Sequence, residues 1–219
     1  MVSLNVFTGI GRTRFNLISL CKEIWMKIYV FLKLLLMSYE HFSIFVPRQG
    51  VIIDNGCGYG LVSLFLALES KDRQIIGIDP NKNRVKKIFK AYSKIPSNVR
   101  FEIKDIRELR IADVDCIIME ETLHHIARGE HREVLRNVYL KLRKDGTFIV
   151  RENNKRISFR FIFINLVFEY LAYLFFEKAN FYSTKELKKM LEEVGFVHCE
   201  IIPSPWYFIF DVVLIIGRK

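Results

Sequence analysis

Three glycines and two acidic residues are the residues in this sequence whose types and spacing best suit chemistry. The stretch 54–60 reads Asp-Asn-Gly-Cys-Gly-Tyr-Gly, and Asp79 follows Gly60 by 19 residues. Glycine lets the backbone adopt positive φ and approach a ligand without a Cβ in the way. A carboxylate such as that of Asp79 can accept hydrogen bonds from the vicinal hydroxyls of a ribose. The spacing therefore predicts a ligand-binding turn.

The charge beside this turn distinguishes two kinds of ligand. A dinucleotide-binding GxGxxG motif starting at Gly56 would need its third glycine at position 61, which is Leu61. The carboxylate of Asp54 would also repel a pyrophosphate, whereas it suits a ligand with an ammonium group and a sulfonium centre. We therefore expect a cationic ligand. The alternative, a tight turn from strand to helix without a ligand, needs only one or two glycines and neither acid.

Two adjacent histidines, His124 and His125, are the candidates for acid–base chemistry. The pKa of imidazole lies near neutrality, so either ring could act as the general base for a hydroxyl acceptor. The alternative is a structural role in which the rings only make hydrogen bonds. The sequence leaves both interpretations open.

The four cysteines, Cys21, Cys57, Cys116 and Cys199, include no CxxC pair and have no neighbouring ligands at zinc spacing. We therefore expect reduced thiols and no bound metal. The first 15 residues lack the features of a secretory signal. Together these features favour a cytoplasmic protein.

Short β-branched runs alternate with helical stretches from Val51 onward, which is typical of a parallel sheet built from βα units. A capping box at 183–186 predicts a late helix. The short connection at 203–205 predicts that the last two strands form an antiparallel hairpin at the sheet edge. The predicted fold class is α/β, with a Rossmann-like, seven-stranded, mostly parallel sheet and helices on both faces. The predicted strands are 51–54, 74–79, 99–105, 114–119, 146–152, 198–202 and 207–217.

Six segments, in the same order and spacing, resemble the motifs of the class I S-adenosylmethionine-dependent methyltransferases. They are VIIDNGCGYG, IIGIDPN, VRFEIKDIREL, DCIIMEETLHHI, LRKDGTFIVRE and FYSTKELKKMLEEVGF. The resemblance extends from Val51 to the C-terminus. The His-His step after the fourth strand is similar to the ubiquinone/menaquinone and small-molecule methyltransferase-like branch. The resemblance implies S-adenosylmethionine as cofactor and S-adenosylhomocysteine as its product.

The resemblance also implies which residues contact the cofactor. Gly56 and Gly58 are expected along the methionine and ribose moieties, and Asp79 at the ribose hydroxyls. Asp105 and Ile106 are expected at the adenine edge. The remaining expected contacts are Asp54, which shapes the loop near the methionine amino group, Glu120 and Glu121, which border the methionine portion, and Cys57, Gly60 and Pro80. A solvated loop position is the alternative for Glu121.

Two apolar regions lie outside these motifs. Residues 1–50 form a predicted N-terminal extension with an amphipathic helix over 15–37, and residues 51–219 form the predicted methyltransferase domain. Within that domain, an apolar helical insertion is predicted at about 155–180. Its polar members within 157–176 are Ser158, Arg160, Asn165 and Glu169. Both regions suit either core packing or a membrane interface, and the net charge of +10 favours anionic partners.

These features together favour methyl transfer to an apolar small-molecule or lipid-like acceptor, with peripheral contact to an anionic membrane at its inner face. One alternative is a non-catalytic protein that binds S-adenosylmethionine or acts as a membrane-associated partner. Nucleic-acid methylation is disfavoured. Base amino methyltransferases of this fold usually carry an Asx/Ser-Pro-Pro-Tyr/Phe tetrad after the fourth strand, where this chain has Glu-Glu-Thr-Leu at 120–123.

Overall fold

Seven strands form one sheet at the centre of the protein. The computed structural model describes residues 4–36, 39–153, 182–203 and 212–219. The strands are β1 (Gly50–Asn55), β2 (Arg73–Ile78), β3 (Val99–Glu102), β4 (Val114–Glu120), β5 (Leu142–Asn153), β6 (Val197–Pro203) and β7 (Val212–Arg218). Their order across the sheet is β3-β2-β1-β4-β5-β7-β6.

The strand directions confirm the predicted fold class. Strands β1 to β5 pair in parallel, whereas β7 is antiparallel to both of its neighbours, β5 and β6. Among the described residues, two strand bounds differ from the prediction by more than one residue: β3 ends at Glu102 rather than Asp105, and β5 begins at Leu142 rather than Gly146. The predicted connection after Pro203 and the predicted start of the last strand at 207–211 lie outside the described residues.

Helices cover both faces of the sheet. Alternate strand residues point to opposite sides, so that Ile52 and Ile118 belong to one apolar core and Ile53 and Ile117 to the other. The helices are α1 (Leu4–Leu20), α2 (Ile24–Leu36), α3 (Glu40–Ser43), α4 (Leu61–Glu69), α5 (Lys82–Ala91), α6 (His131–Lys141) and α7 (Thr184–Val194). Side chains of α1, α2, α4 and α5 pack in the first core, and those of α6 and α7 pack in the second. The predicted capping box is present, with Ser183 and Glu186 at the start of α7.

The N-terminal region differs from the predicted single helix over 15–37. It forms two helices, α1 and α2, that are separated at residues 21–23. At this break Cys21 forms an isolated antiparallel bridge with Tyr92, and the N–H of Lys22 donates to the carbonyl of Ala91 at 2.7 Å. These bonds fix the chain in an extended conformation that interrupts the helix. No helix in the described ranges is long and apolar enough to cross a membrane.

Candidate functional site

A cavity of about 710 Å³ opens at the carboxyl ends of β1, β2 and β4. In open α/β sheets, ligands bind outside these strand ends. All but one of the predicted site residues line this cavity, and the exception is Gly60. The lining predicted residues are Asp54, Gly56, Cys57, Gly58, Asp79, Pro80, Asp105, Ile106, Glu120, Glu121, His124 and His125.

The turn after β1 needs glycine for two different reasons. Gly56 has φ +84°, and a Cβ there would lie 2.3 Å from the side chain of Thr122, so that the loops after β1 and β4 could not pack together. Gly58 has φ +55°, but a Cβ there would have no heavy atom within 4 Å. The backbone of Gly58 therefore faces open space where a ligand can approach. Gly60 has φ +76° and forms the N-cap of α4, so its position in the structure is that of a turn residue.

Asp79 lies immediately after β2 and holds the backbone around the turn. Its Oδ2 accepts a hydrogen bond from the N–H of Gly58 at 2.9 Å, and its Oδ1 accepts one from the N–H of Asn81 at 2.7 Å. Each carboxylate oxygen can accept a further hydrogen bond. Asp79 is therefore suited both to fix the glycine turn and to accept hydrogen bonds from a ligand's hydroxyl groups.

Asp54 places a buried carboxyl group beneath the glycine turn. The hydroxyl of Ser63 donates to its Oδ2 at 2.6 Å. Burial raises the pKa of Asp54 to about 7, although the Ser63 hydrogen bond opposes this shift, and the nearby negative charge of Glu120 contributes to it. A cationic ligand group in the cavity would oppose this shift and favour the carboxylate.

The two glutamates at the end of β4 have different surroundings. Glu120 is buried, and among the described residues its Oε1 has no hydrogen-bond partner, with Nη2 of Arg151 3.6 Å away. Burial raises the pKa of Glu120, against the opposing charge of Arg151. In contrast, Oε2 of Glu121 accepts a hydrogen bond from Nζ of Lys33 on α2 at 2.8 Å. Glu121 is thus not a solvated loop residue.

The Lys33–Glu121 pair changes both pKa values in the direction expected of an ion pair. Burial would raise the pKa of Glu121, but the charge and hydrogen bond of Lys33 outweigh burial and lower it. Burial would likewise lower the pKa of Lys33, but the negative charge of Glu121 raises it well above its ordinary value. The pair therefore stays charged at neutral pH and connects α2 to the end of β4.

Asp105 is held by an arginine that the sequence analysis did not identify. Arg107 donates from Nε to Oδ1 at 2.9 Å and from Nη2 to Oδ2 at 2.8 Å. This side-chain pairing lowers the pKa of Asp105, so its carboxyl group remains ionised. The bidentate pair fixes the loop after β3 in which Asp105 and Ile106 line the cavity.

The histidines differ in both burial and charge. His124 is buried, and its Nδ1 lies 2.6 Å from Oε2 of Glu152. Burial alone would lower the pKa of His124, but the hydrogen bond and charge of Glu152 raise it. The His125 ring lies 4.1 Å from that of His124, and its pKa falls to about 4 through burial and the positive charges of His124 and Arg84.

Glu152 fixes the position of His124 through the end of β5. Its second oxygen, Oε1, accepts hydrogen bonds from the N–H of Thr122 at 2.9 Å and from the N–H of Leu123 at 2.7 Å. With Glu152 ionised, Nδ1 of His124 is the proton donor in their bond. Nε2 is then the ring atom that can accept a proton. A candidate base therefore lines the cavity that also contains the glycine turn, and an acidic residue behind it fixes its orientation.

Several lining or supporting residues were not predicted from the sequence. Tyr29, Lys33 and Tyr39 line the cavity from the N-terminal region, and Glu152 and Arg151 come from β5. Glu152 had a usable signal, because it ends the predicted fifth strand beside the end of the fourth. Tyr29 and Lys33 had none, since their helix was expected only to pack on the domain or to lie in a membrane interface.

The chemistry of the site fits S-adenosylmethionine. The open side of Gly58 and the oxygens of Asp79 suit the nucleoside. Asp54 and Oε1 of Glu120, which accepts no hydrogen bond among the described residues, suit positive charges on the methionine portion. Among the described residues, no cluster of three or more His, Cys, Asp or Glu side chains has the arrangement of a metal site. The fold and this site resemble those of the class I S-adenosylmethionine-dependent methyltransferases.

Comparison with known proteins agrees with this class. Residues 52–146 match the family model described as "Methyltransferase domain". A curated relative, the carboxy-S-adenosyl-L-methionine synthase of Actinobacillus pleuropneumoniae serotype 5b (strain L20), is 28% identical over 152 residues. The match covers 66% of this chain and 60% of that relative. The chain thus spans less than two thirds of the relative's length.

Solved structures share the fold at low sequence identity. Human N-acetylserotonin methyltransferase, in complex with S-adenosylmethionine, superimposes with a TM-score of 0.67 at 16% identity, covering 90% of this chain and 59% of that chain. A methyltransferase from Aquifex aeolicus gives a TM-score of 0.65 at 16% identity, covering 85% and 92% of the two chains.

Proposed function

We propose that the protein transfers a methyl group from S-adenosylmethionine to an apolar small-molecule or lipid-like acceptor, as a member of the ubiquinone/menaquinone and small-molecule branch of its class. The observation that carries this proposal is the buried His124–Glu152 pair, of which His124 lines the same cavity as the glycine turn. A site that only binds the cofactor has no need of an oriented base. The pair therefore favours catalysis over a non-catalytic binding protein.

The cofactor-binding part of the proposal follows from the distribution of donors and charges. Asp79 would hold the ribose hydroxyls, Asp105 and Ile106 the adenine edge, and Gly58 the space beside them. The carboxyl groups of Asp54 and Glu120 would face the ammonium and sulfonium groups. His124 lines the same cavity as these residues.

The acceptor chemistry follows from His124. When bound, S-adenosylmethionine supplies a methyl group on a positively charged sulfur, a carbon already activated for in-line displacement. Nε2 of neutral His124 would take the proton of an acceptor hydroxyl as the oxygen bonds to the methyl carbon and the carbon–sulfur bond breaks, with S-adenosylhomocysteine as the leaving group. The imidazolium that results is stabilised by Glu152 at 2.6 Å. Neither the transfer of the proton nor that of the methyl group requires a metal ion.

The apolar character of the acceptor is supported by the surroundings of the cavity. Tyr29, Tyr39 and Ile126 line it, and α2, which contributes Tyr29, exposes several large apolar side chains outside. The apolar segment 157–176 lies outside the described residues. We place the protein in the cytoplasm, with peripheral contact to the inner face of an anionic membrane.

The proposal is tested by incubating the purified protein with labelled S-adenosylmethionine and fractionated organic extracts of cells. Label should appear in the organic phase, in a product heavier than its precursor by one methylene, and His124→Ala should abolish it. Stoichiometric cofactor binding with no label transferred to any fraction, including polar ones, would favour the non-catalytic alternative. Label appearing only in polar products would refute the apolar acceptor.

A second candidate is the activity printed in the names of the curated relatives, the formation of carboxy-S-adenosyl-L-methionine. One observation favours it, namely the partly buried ammonium group of Lys33 in the cavity, which could pair with an additional carboxylate. Mass spectrometry of the ligand that co-purifies with the protein separates the two candidates. An S-adenosyl compound carrying an extra carboxyl group would favour the second.

A further inference from the structure

Helix α2 presents an apolar face to solvent although it also lines the cavity. Tyr29 and Lys33 line the cavity, and Met26, Val30 and Leu34 are buried in the core. On the opposite side of the helix, six large side chains are each between 42% and 72% exposed. This apolar face of α2 comprises Ile24, Trp25, Ile28, Phe31, Leu32 and Leu35. So many exposed apolar residues on one 13-residue helix mark an interaction surface.

A strongly basic helix adjoins this face. Helix α5 carries four lysines and one arginine in its ten residues and no acidic residue. Four of these cations, Lys82, Lys86, Lys87 and Lys90, are exposed and form the basic face of α5. Over its ten residues the helix is therefore a concentrated source of positive charge.

The two faces meet at one aromatic ring beside the cavity. The ring of Tyr59 contacts Trp25 of α2 with centroids 6.2 Å apart, and Nζ of Lys87 lies 5.9 Å from the centroid of the same ring. The break between α1 and α2 is bonded to the end of α5, through Lys22 N–H and the carbonyl of Ala91. Tyr59 and Lys87 also line the cavity. The apolar and basic faces thus adjoin at the edge of the site.

We propose that the apolar face of α2 and the basic face of α5 together dock the protein on an anionic lipid surface, with the cavity opening toward the lipid. This combination of large apolar side chains and flanking cations is the one that binds membrane interfaces. This docking proposal rests on the proposed function, because docking at this surface would deliver a lipid-like acceptor directly to His124.

Charge decides between lipid and a second copy of the chain. Two-fold pairing through the apolar face of α2 would bring two basic α5 helices near one interface, where their charges repel. An anionic lipid surface would instead bury the apolar face of α2 and attract the basic face of α5. A nucleic acid would use the basic face and leave the apolar side chains of α2 without a role.

The test uses the full chain and sedimentation with vesicles made of equal parts phosphatidylglycerol and phosphatidylcholine. The protein should bind these vesicles, and binding should fall by about tenfold or more in Ile28→Glu/Phe31→Glu and in Lys86→Glu/Lys90→Glu. Matched controls change exposed residues elsewhere, Leu140→Glu on α6 for the first variant and Lys144→Glu/Lys185→Glu for the second. The controls should bind as the original protein does.

A fluorescence experiment tests the same docking surface without substituting any of its residues. Trp206→Phe leaves Trp25 as the only tryptophan, whose emission should shift to the blue and be quenched by brominated lipid. Unquenched Trp25, or equal binding by surface and control variants, would overturn the proposal. A dimer lost in Ile28→Glu/Phe31→Glu without vesicle binding would show a second copy instead, and displacement of bound protein by RNA would show a nucleic-acid surface.

Failure of docking and failure of the proposed function give different results. Methyl transfer to a detergent-dispersed acceptor does not require a membrane. Transfer in detergent without vesicle binding would overturn only the docking proposal. Vesicle binding without transfer to any acceptor would leave docking intact and refute the proposed activity.

Discussion

Replacing Glu152 with glutamine should reverse the proton arrangement of His124 with almost no change in shape. Glu152 uses Oε1 to accept from two backbone N–H groups, those of Thr122 and Leu123, and Oε2 to bond Nδ1 of His124. In Glu152→Gln the carbonyl oxygen must face the two N–H donors, because an NH₂ group there would meet donors only. The NH₂ group therefore faces His124, whose Nδ1 must become the acceptor. The proton then resides on Nε2, and the base is lost.

The expected loss follows from the type of bond that changes. A hydrogen bond to a charged group contributes about 1.5 to 3 kcal/mol, which corresponds to a decrease in kcat of about 10- to 100-fold. Cofactor affinity should change little, because Glu152 is not among the residues expected to contact the cofactor. The assay measures kcat by methyl release and the Kd for S-adenosylmethionine by calorimetry, with His125→Ala as the neighbouring control.

The pH profile separates a catalytic base from a structural histidine. Glu152 raises the pKa of His124, and a base acts in its neutral form, so the rate should increase as pH passes through that raised pKa. Without the carboxylate, burial lowers the pKa, and the rising limb should move to lower pH while the plateau falls. A folded Glu152→Gln protein with the original kcat and the original profile would refute the role assigned to His124.

Three further predictions concern the cofactor. Asp79→Ala should weaken S-adenosylmethionine binding by about 10- to 100-fold, because the ribose hydroxyls lose a charged acceptor, and an unchanged Kd by calorimetry would remove Asp79 from the site. Gly58→Val should abolish binding while circular dichroism reports a retained fold, because the new side chain would occupy the open space expected to hold the cofactor, at a φ of +55°. A folded variant that still binds would place the cofactor elsewhere. Binding should strengthen as pH rises toward about 7, where Asp54 loses its proton and can attract the cationic ligand, and then level off, a dependence that Asp54→Asn should remove.

Much of the fold and part of the site could be predicted because they depend on local sequence. The β-branched runs gave the strands of the parallel sheet, and the end of the second strand gave Asp79, since parallel strands end at one edge. Asp105 and Glu120 were implied by the resemblance to the methyltransferases. Glu152 also lies at the end of a strand at this edge, but it was not predicted as a site residue. Nothing in the sequence around His124 and His125 indicates that their partner lies on another strand.

The N-terminal region could not be predicted in this way. The break at residues 21–23 contains neither glycine nor proline, and it depends on hydrogen bonds to residues of α5 that are distant in sequence. Lys33 was placed on the polar side of a continuous helix, whereas its partner, Glu121, is 88 residues away. Long-range pairs of this kind leave no periodic signal in the residues around them.

The Lys33–Glu121 pair also bears on how this protein could be recombined with others. A chimera that exchanged residues 1–50 at the predicted domain boundary would remove the cation that pairs with Glu121 and leave that carboxylate beside Glu120. The recipient domain would then carry excess negative charge in its interior, whatever the shape complementarity of the new segment. Exchange at this boundary should succeed only when the donor segment supplies a cation at position 33 or when position 121 is changed together with it.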